Sequence, residues 1–220
     1  TSLVVCRYTF VKKSHNNMIN TIFFDIGGVL IDIHPNRTYE YISKRTGVNK
    51  KRIQEAFPDD VHSQYEKGLI SNNDWFLKYK KSLKELSVLN EFDFWTAWKL
   101  LLGKEKKTIE LIKLLKPYYS IWLLSNTNPQ HIRDEIEKKY VFPTLSDGEI
   151  YSFEVGERKP DSSIYKVALE KASTTPEQSI FIDDLIENVQ AAIDFGINAL
   201  QYRSYSKLKF DLKNLKLRGL

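Results

Sequence analysis

Cysteine is almost absent: Cys6 is the only one in 220 residues, so no disulfide can close within the chain. That suits a reducing compartment such as the cytoplasm. Four scattered histidines and one thiol make no zinc-type cluster. No apolar run approaches the roughly 18 residues a spanning helix needs, so no membrane span is expected. Charge of one sign is only mildly in excess, with a formal net charge of +5. The lysines alternate with acids, as in Glu135, Glu137, Lys138 and Lys139, which is the pattern of a solvated helical surface; no nucleic-acid partner is expected. The tail from Lys207 to Arg218 alternates basic residues with Leu and Phe and reads as an amphipathic closing element. Methionine is equally scarce. Met18 is the only one and leads straight into the first strong strand. Residues 1–17 lack a long apolar stretch and a cleavage signal. They read as an upstream extension, a cloning remnant or the remainder of a processed leader, outside the catalytic part.

What is present is a globular composition, 42% hydrophobic and 13% aromatic, in a length that fits one large domain or a core with a modest insertion. Thr21-Ile22-Phe23-Phe24 is a continuous β-branched and aromatic run stopped by Asp25 and Gly27-Gly28, as in a strand buried on both faces. Val29 to Ile33 is expected to form a hairpin-like flap. From Arg37 to Gly103 apolar residues recur at helical spacing with no strand-like run, so residues 37–103 are expected to be a small all-helical insertion, with Phe94, Trp95 and Trp98 in its core. Residues 18–36 and 104–220 form the remaining core. A helix from Thr108 to Lys116 precedes the strand Ser120 to Leu124. A helix from Pro129 to Lys139, capped by Asn128, follows. A short strand is expected near Ile150 to Phe153, then a helix from Asp161 to Lys171. The strand Ser179 to Ile182 ends at Asp183-Asp184. A helix through Ala191-Ala192 leads to the strand Asn198 to Gln201.

Strands alternating with helices imply an α/β fold with a doubly wound, mainly parallel sheet. In such sheets the ligand crevice lies beyond the carboxyl ends of the strands. Asp25, Ser125 and Asp183-Asp184 each stand at such an end. Singly, each has a structural explanation as a turn or cap residue. Their convergence points to a site.

Phe24-Asp25-Ile26-Gly27-Gly28-Val29-Leu30 resembles the first signature of haloacid dehalogenase-like hydrolases. Leu124-Ser125-Asn126-Thr127 resembles the second, Gly156-Glu157-Arg158-Lys159-Pro160-Asp161 the third, and Ile182-Asp183-Asp184 with Asn188 the fourth. The resemblance covers about Ile19 to Tyr202, and the insertion between the first two signatures resembles the family's helical cap over a Rossmann-like core. It implies a phosphatase with Asp25 as nucleophile and Lys159 neutralising it and the phosphoryl group. Ser125 and the Asn126 backbone would donate to phosphoryl oxygens. Mg²⁺ would be held by Asp25, Asp184 and the Gly27 carbonyl, with Asp183 acting directly or through water. Asn188 would support the acidic pair rather than bind the ion. The chemistry agrees. A carboxylate nucleophile splits hydrolysis into two easier steps, and two approaching anions require positive charge.

One departure stands out. Phosphatases of the family usually carry a second Asp two residues after the nucleophile as general acid and base, and here that position is Gly27. Water, the substrate or another side chain must stand in, and Asp32 and His34 are near in sequence. Tyr65-Glu66-Lys67-Gly68-Leu69-Ile70-Ser71 resembles a cap segment of the sugar-phosphatase-like branch. With His34-Pro35-Asn36-Arg37 it implies a small phosphorylated metabolite, such as a hexose phosphate, as the partner. The plain reading of that segment is one helix ending at Gly68 before another capped by Ser71. Three rivals remain. A metal-independent 2-haloacid dehalogenase would have Tyr at position 27 and no need of Asp183-Asp184. A binding or regulatory protein would have lost turnover at Gly27. A phosphomutase would need the missing acid–base group. The sequence says nothing of oligomeric state.

Overall fold

This computed structural model describes residues 18–83 and 88–220, together with the backbone of residues 9–10. The expectation for residues 1–17 therefore lies outside the described residues, apart from Thr9–Phe10, whose backbone forms strand β1.

The central strand is β2 (Thr21–Phe24), every residue of which is buried. It pairs in parallel with β5 (Ser120–Ser125) on one side and β7 (Ser179–Asp183) on the other, so that Phe24 faces both Leu123 and Ile182 in register. β6 (Gly148–Tyr151) extends the sheet beyond β5, and β8 (Asn198–Gln201) extends it beyond β7. These five strands are parallel, and β1 adds an antiparallel edge on β8. From β2 the chain first winds through β5 to β6, then returns to β7 and β8 on the other side. The crevice of such a doubly wound sheet opens where the windings diverge, at the end of β2.

Side-chain alternation divides the core. Ile22, Phe24, Ile180 and Ile182 pack with Leu111, Ile112 and Leu115 of helix α6 (Thr108–Leu115) and with Leu208 and Leu212 of a C-terminal helix (Tyr205–Asn214). Phe23 and Phe181 point the other way, into Ile164, Tyr165 and Ala168 of Ser162–Lys171 and Val189 and Ala192 of Ile186–Phe195. Both faces are covered, which is why the strands read as continuous apolar runs. The basic tail indeed closes one face.

Between β2 and α6 lie five helices: α1 (Pro35–Thr46), α2 (Lys50–Glu55), α3 (Asp59–Glu66), α4 (Asn72–Ser82) and α5 (Glu91–Lys99). They surround a core of their own, with Trp75, Tyr79, Phe94 and Trp98 at its centre. The end of α3 at Glu66, the turn at Gly68 (φ 67°) and the Ser71–Asp74 capping box of α4 follow the plain reading of that segment.

Two expectations are corrected. Residues 37–103, expected to be free of strand, run into one at their end: β4 (Leu102–Glu105) pairs antiparallel with β3 (Ile31–Ile33), joining the way into the helical layer to the way out. Leu-Gly-Lys-Glu has no β-branched residue, and its pairing comes from a partner some seventy positions away; the pattern carried no signal. The strand expected at Ile150 to Phe153 lies two residues earlier, and Ser152–Val155 is a short helix. Glycine suits the first position of this strand because the Trp122 ring occupies the space of a side chain there, 2.4 Å from where a Cβ would stand.

Candidate active site

The peptide N–H of Asp25 donates to the Ile182 carbonyl at 2.9 Å, continuing the β2–β7 pairing one residue past the strand. This places Asp25 at the carboxyl end of the central strand, with the residue only 7% exposed. Lys159 meets it there. Its ammonium, 1% exposed, donates at 2.7 Å to Asp25 Oδ1, at 2.7 Å to Asp183 Oδ2 and at 2.8 Å to the Leu124 carbonyl. All three donor positions are filled.

The loop carrying Lys159 is held by a residue whose side chain had been given no part. Asn126 Nδ2 donates to the Lys159 carbonyl and Asn126 Oδ1 accepts from the Lys159 N–H, each at 2.8 Å. A backbone-like clamp between two separate loops has no local sequence signal; only the tertiary fold brings them together. Asp183 is equally committed. Oδ1 accepts from the Leu185 N–H and Asn188 Nδ2, while Oδ2 accepts from Lys159 and Asn188 Nδ2. Asn188 thus steadies the acid that steadies the lysine.

Asp184 lies against Gly28. A Cβ on Gly28, whose φ is +74°, would stand 2.2 Å from Asp184 Oδ2, so only glycine leaves room for that carboxylate. The Gly28 carbonyl accepts from Lys106 Nζ at 2.6 Å. Lys106 escaped sequence reasoning because it lies 78 positions away on the chain after β4.

One oxygen from each of Asp25, Asp183 and Asp184 can be chosen within 4.8 Å of the others. Burial, followed by the charges of Asp183 and Asp184, pushes Asp25 up to about 7 against the opposing pull of Lys159. Burial and Asp183 also raise Asp184. Burial alone would depress Lys159, but Asp183 and Asp25 more than offset it and hold the ammonium charged. Three acids therefore share one buried cation. The uncompensated charge, the all-oxygen donor set and the space kept by Gly28 fit a hard divalent cation such as Mg²⁺.

Beside these groups a cavity of about 100 Å³ is walled by Gly27, Ser125 and Asn126 from the core and by His62 and Glu66 from the helical layer. Position 27 can carry a side chain: a Cβ there would make ordinary contacts, 3.4 Å from Ile33 and 4.0 Å from Asp25 Oδ2. Glu66 is buried beside Arg158, with Nη2 to Oε2 at 2.9 Å. Asp32 and His34 do not line this cavity. Asp32 lies half-exposed, 3.7 Å from Lys106 Nζ, and the His34 ring lies against Gly103. Arg37, also considered, lies outside the wall on α1. Among the described residues no helix is long and apolar enough to cross a membrane.

Comparison with known proteins identifies the family. The chain is 23% identical over 203 residues to a D-ribitol-5-phosphate phosphatase of Bacteroides thetaiotaomicron, covering 84% of this chain and 92% of that one. It is 26% identical over 195 residues to a sesquiterpene phosphatase of Aspergillus oryzae, covering 87% and 94%. A solved structure of a haloacid dehalogenase family enzyme from B. thetaiotaomicron, in complex with magnesium and inorganic phosphate, superposes with a TM-score of 0.76. It is 26% identical and covers 86% of this chain and 98% of that one. Residues 19–196 match the haloacid dehalogenase-like hydrolase family, and the chain is a hydrolase belonging to it.

Proposed function

We propose that this enzyme is a magnesium-dependent phosphomonoesterase acting on a small phosphorylated metabolite through an aspartyl-phosphate on Asp25. The observation that carries the reading is the buried arrangement of Asp25, Lys159, Asp183 and Asp184 at the strand ends. The relatives named for phosphatase activity, and the neighbour holding magnesium and phosphate, support it. A metal-free dehalogenase would have no use for Asp184 in the space that Gly28 keeps open.

In this reading Asp25 forms a bond to phosphorus as the ester P–O bond breaks, and water then cleaves the acyl phosphate. Lys159 holds Asp25 in place and balances charge on the transferred group. Ser125 and the Asn126 backbone donate to phosphoryl oxygens. Mg²⁺, held by Asp25, Asp184 and the Gly27 carbonyl, would supply positive charge against two approaching anions. Each Asp183 oxygen already accepts two hydrogen bonds, which favours an indirect part for it.

With glycine at position 27, the proton for the leaving alkoxide must come from elsewhere on the cavity wall. His62 and Glu66 are its titratable groups from the helical layer. Burial and the Arg158 charge drive His62 down to about 4, so it is neutral and a poor donor at neutral pH. Burial raises Glu66 despite Arg158, which favours Glu66 as the acid–base group.

Phosphate release should require Mg²⁺, stop with EDTA and fall by at least about 10³-fold in Asp25→Asn, as expected when a nucleophile is removed. Turnover that survives either change would overturn the mechanism.

A further inference from the structure

Two neighbouring cavities share His62 and Leu101 in their walls. The first has a mixed wall, with Ser125, Asn126 and Glu66 set among aliphatic side chains such as Ile26 and Ile33. The second, of about 180 Å³, runs into the helical layer and is walled by Pro35, Tyr39, Phe57 and Trp98 as well. For comparison, an apolar cavity of roughly 150 Å³ takes up benzene. The second cavity is therefore the size of a six-carbon group.

Unlike the first, whose wall carries Glu66, Asn126 and Asn128, it has no carboxylate or amide side chain in its lining. No acidic side chain, lysine or arginine lines it. Thr38 stands in the wall, but its hydroxyl is already engaged, donating to the Ala97 carbonyl at 3.0 Å. His62 is neutral for the reasons given above. The polar groups left in the wall are the Tyr39 hydroxyl, the neutral His62 ring and the Trp98 indole N–H, the last buried without a partner among the described residues. A polyol chain of four or five hydroxyls outnumbers these three groups, and a buried hydroxyl without a partner is costly. An alkyl, prenyl or aryl group would lose nothing and would shed its hydration. The polar groups beside the first cavity are also spent internally. The Asn126 amide is tied at both ends to Lys159, and Asn128 is bonded to His131.

We propose that the second cavity receives the apolar part of the substrate's alcohol, so that the enzyme selects amphipathic phosphomonoesters over polyol phosphates and over the hexose phosphate expected from sequence. This specificity rests on the phosphomonoesterase reading, and Leu101, in the wall of both cavities, is its gatekeeper.

The test is a series of n-alkyl phosphates from propyl to hexyl, with ribitol 5-phosphate as the polar reference. The expected result is a kcat/KM that rises about three- to fourfold per methylene, the equivalent of about 0.8 kcal/mol each. Hexyl phosphate should exceed ribitol 5-phosphate by at least tenfold, and Leu101→Gln should flatten the dependence. Tyr39→Ser serves as the second wall variant should Leu101→Gln fail to fold. A flat chain-length dependence, a preference for ribitol 5-phosphate, or an unchanged slope in the folded variant would overturn the proposal. Calorimetric titration of 1-hexanol and ribitol into the wild type separates the two readings. If no ester is hydrolysed, the phosphomonoesterase reading fails. Hexanol binding that Leu101→Gln weakens would still uphold the apolar cavity, and no hexanol binding would overturn it.

Discussion

At the ends of β2, β5 and β7 charged groups are buried, and in the helical layer aromatic rings are. The strand-end groups tolerate burial only because each satisfies another: Lys159 is enclosed by Asp25, Asp183 and the Leu124 carbonyl. In the helical layer Trp75 packs on Tyr65, Phe57 and Trp98 through stacked and edge contacts, and shape carries the cohesion. The difference teaches how change should act in each place. Removing one charge strands its partners, whereas altering one ring reshapes a space.

Lys159→Met should break the comparison most severely. It leaves two buried carboxylates facing each other, so kcat should fall by about 10³-fold or more. Unfolding free energy should drop by about 3–5 kcal/mol in a urea titration, the usual cost of orphaning a buried ion pair. An intact, stable variant would show that the charges are less buried than the structure has them.

Glu66→Gln sharpens it next, since Glu66 is the charged group the helical layer lends to the strand ends. With the acid–base role proposed here, kcat should fall by about 10²-fold with little change in Mg²⁺ affinity, and the pH–rate profile should lose a limb. An unaltered profile would return Glu66 to a purely structural pairing with Arg158.

The two glycines give a smaller, paired contrast. Gly28→Ala places a methyl against Asp184 on a left-handed backbone, and should weaken Mg²⁺ binding by about tenfold, read by calorimetry. Gly27→Ala meets only ordinary contacts and should stay within about threefold. Equal effects would argue against the Asp184 cradle.

The smallest effect concerns stability where the regions join. His131 stacks on Trp98 with ring centroids 5.3 Å apart. Asn128 accepts from the His131 peptide N–H, so its amide donates to Nδ1, and Nε2–H donates to the Trp98 carbonyl at 3.0 Å. That network needs the neutral ring. Burial holds His131 down at about 4, whereas the unfolded chain protonates near 6.5. Between those values the unfolded state takes up a proton that the folded state refuses. The contribution is thus complete above pH 6.5 and is lost as pH falls towards 4, roughly 3 kcal/mol in all. Urea unfolding at pH 7.5 and 4.5 should show a smaller loss in His131→Asn than in the wild type; equal losses would remove His131 as the cause.

How much of this was legible depends on the range over which each signal acts. The strands β2, β5 and β7 were visible because a strand buried on both faces reads as a nearly continuous apolar run, whereas the bounds of β6 were displaced by two residues. Asp25, Ser125 and Asp183-Asp184 were visible because a strand's end marks its position in the crevice. The Asn128 cap and the Ser71 turn were legible for the same local reason. By contrast, β4 took its conformation from β3. Asn126 acquired its clamp, and Lys106 its contact with Gly28, from segments far along the chain.

The sequence by itself determined the order of strands and helices and the side chains standing at the strand ends, because burial writes a period of two or 3.6 residues into the chain. Only the tertiary structure decided which of those side chains neutralise one another and what the helical layer adds to the cavity. It brings Glu66 to the wall of the cavity that Gly27 also lines, and it forms a second, more apolar cavity that shares Leu101 with the first. Those outcomes depend on distances between segments remote in sequence, and no local pattern encodes such distances.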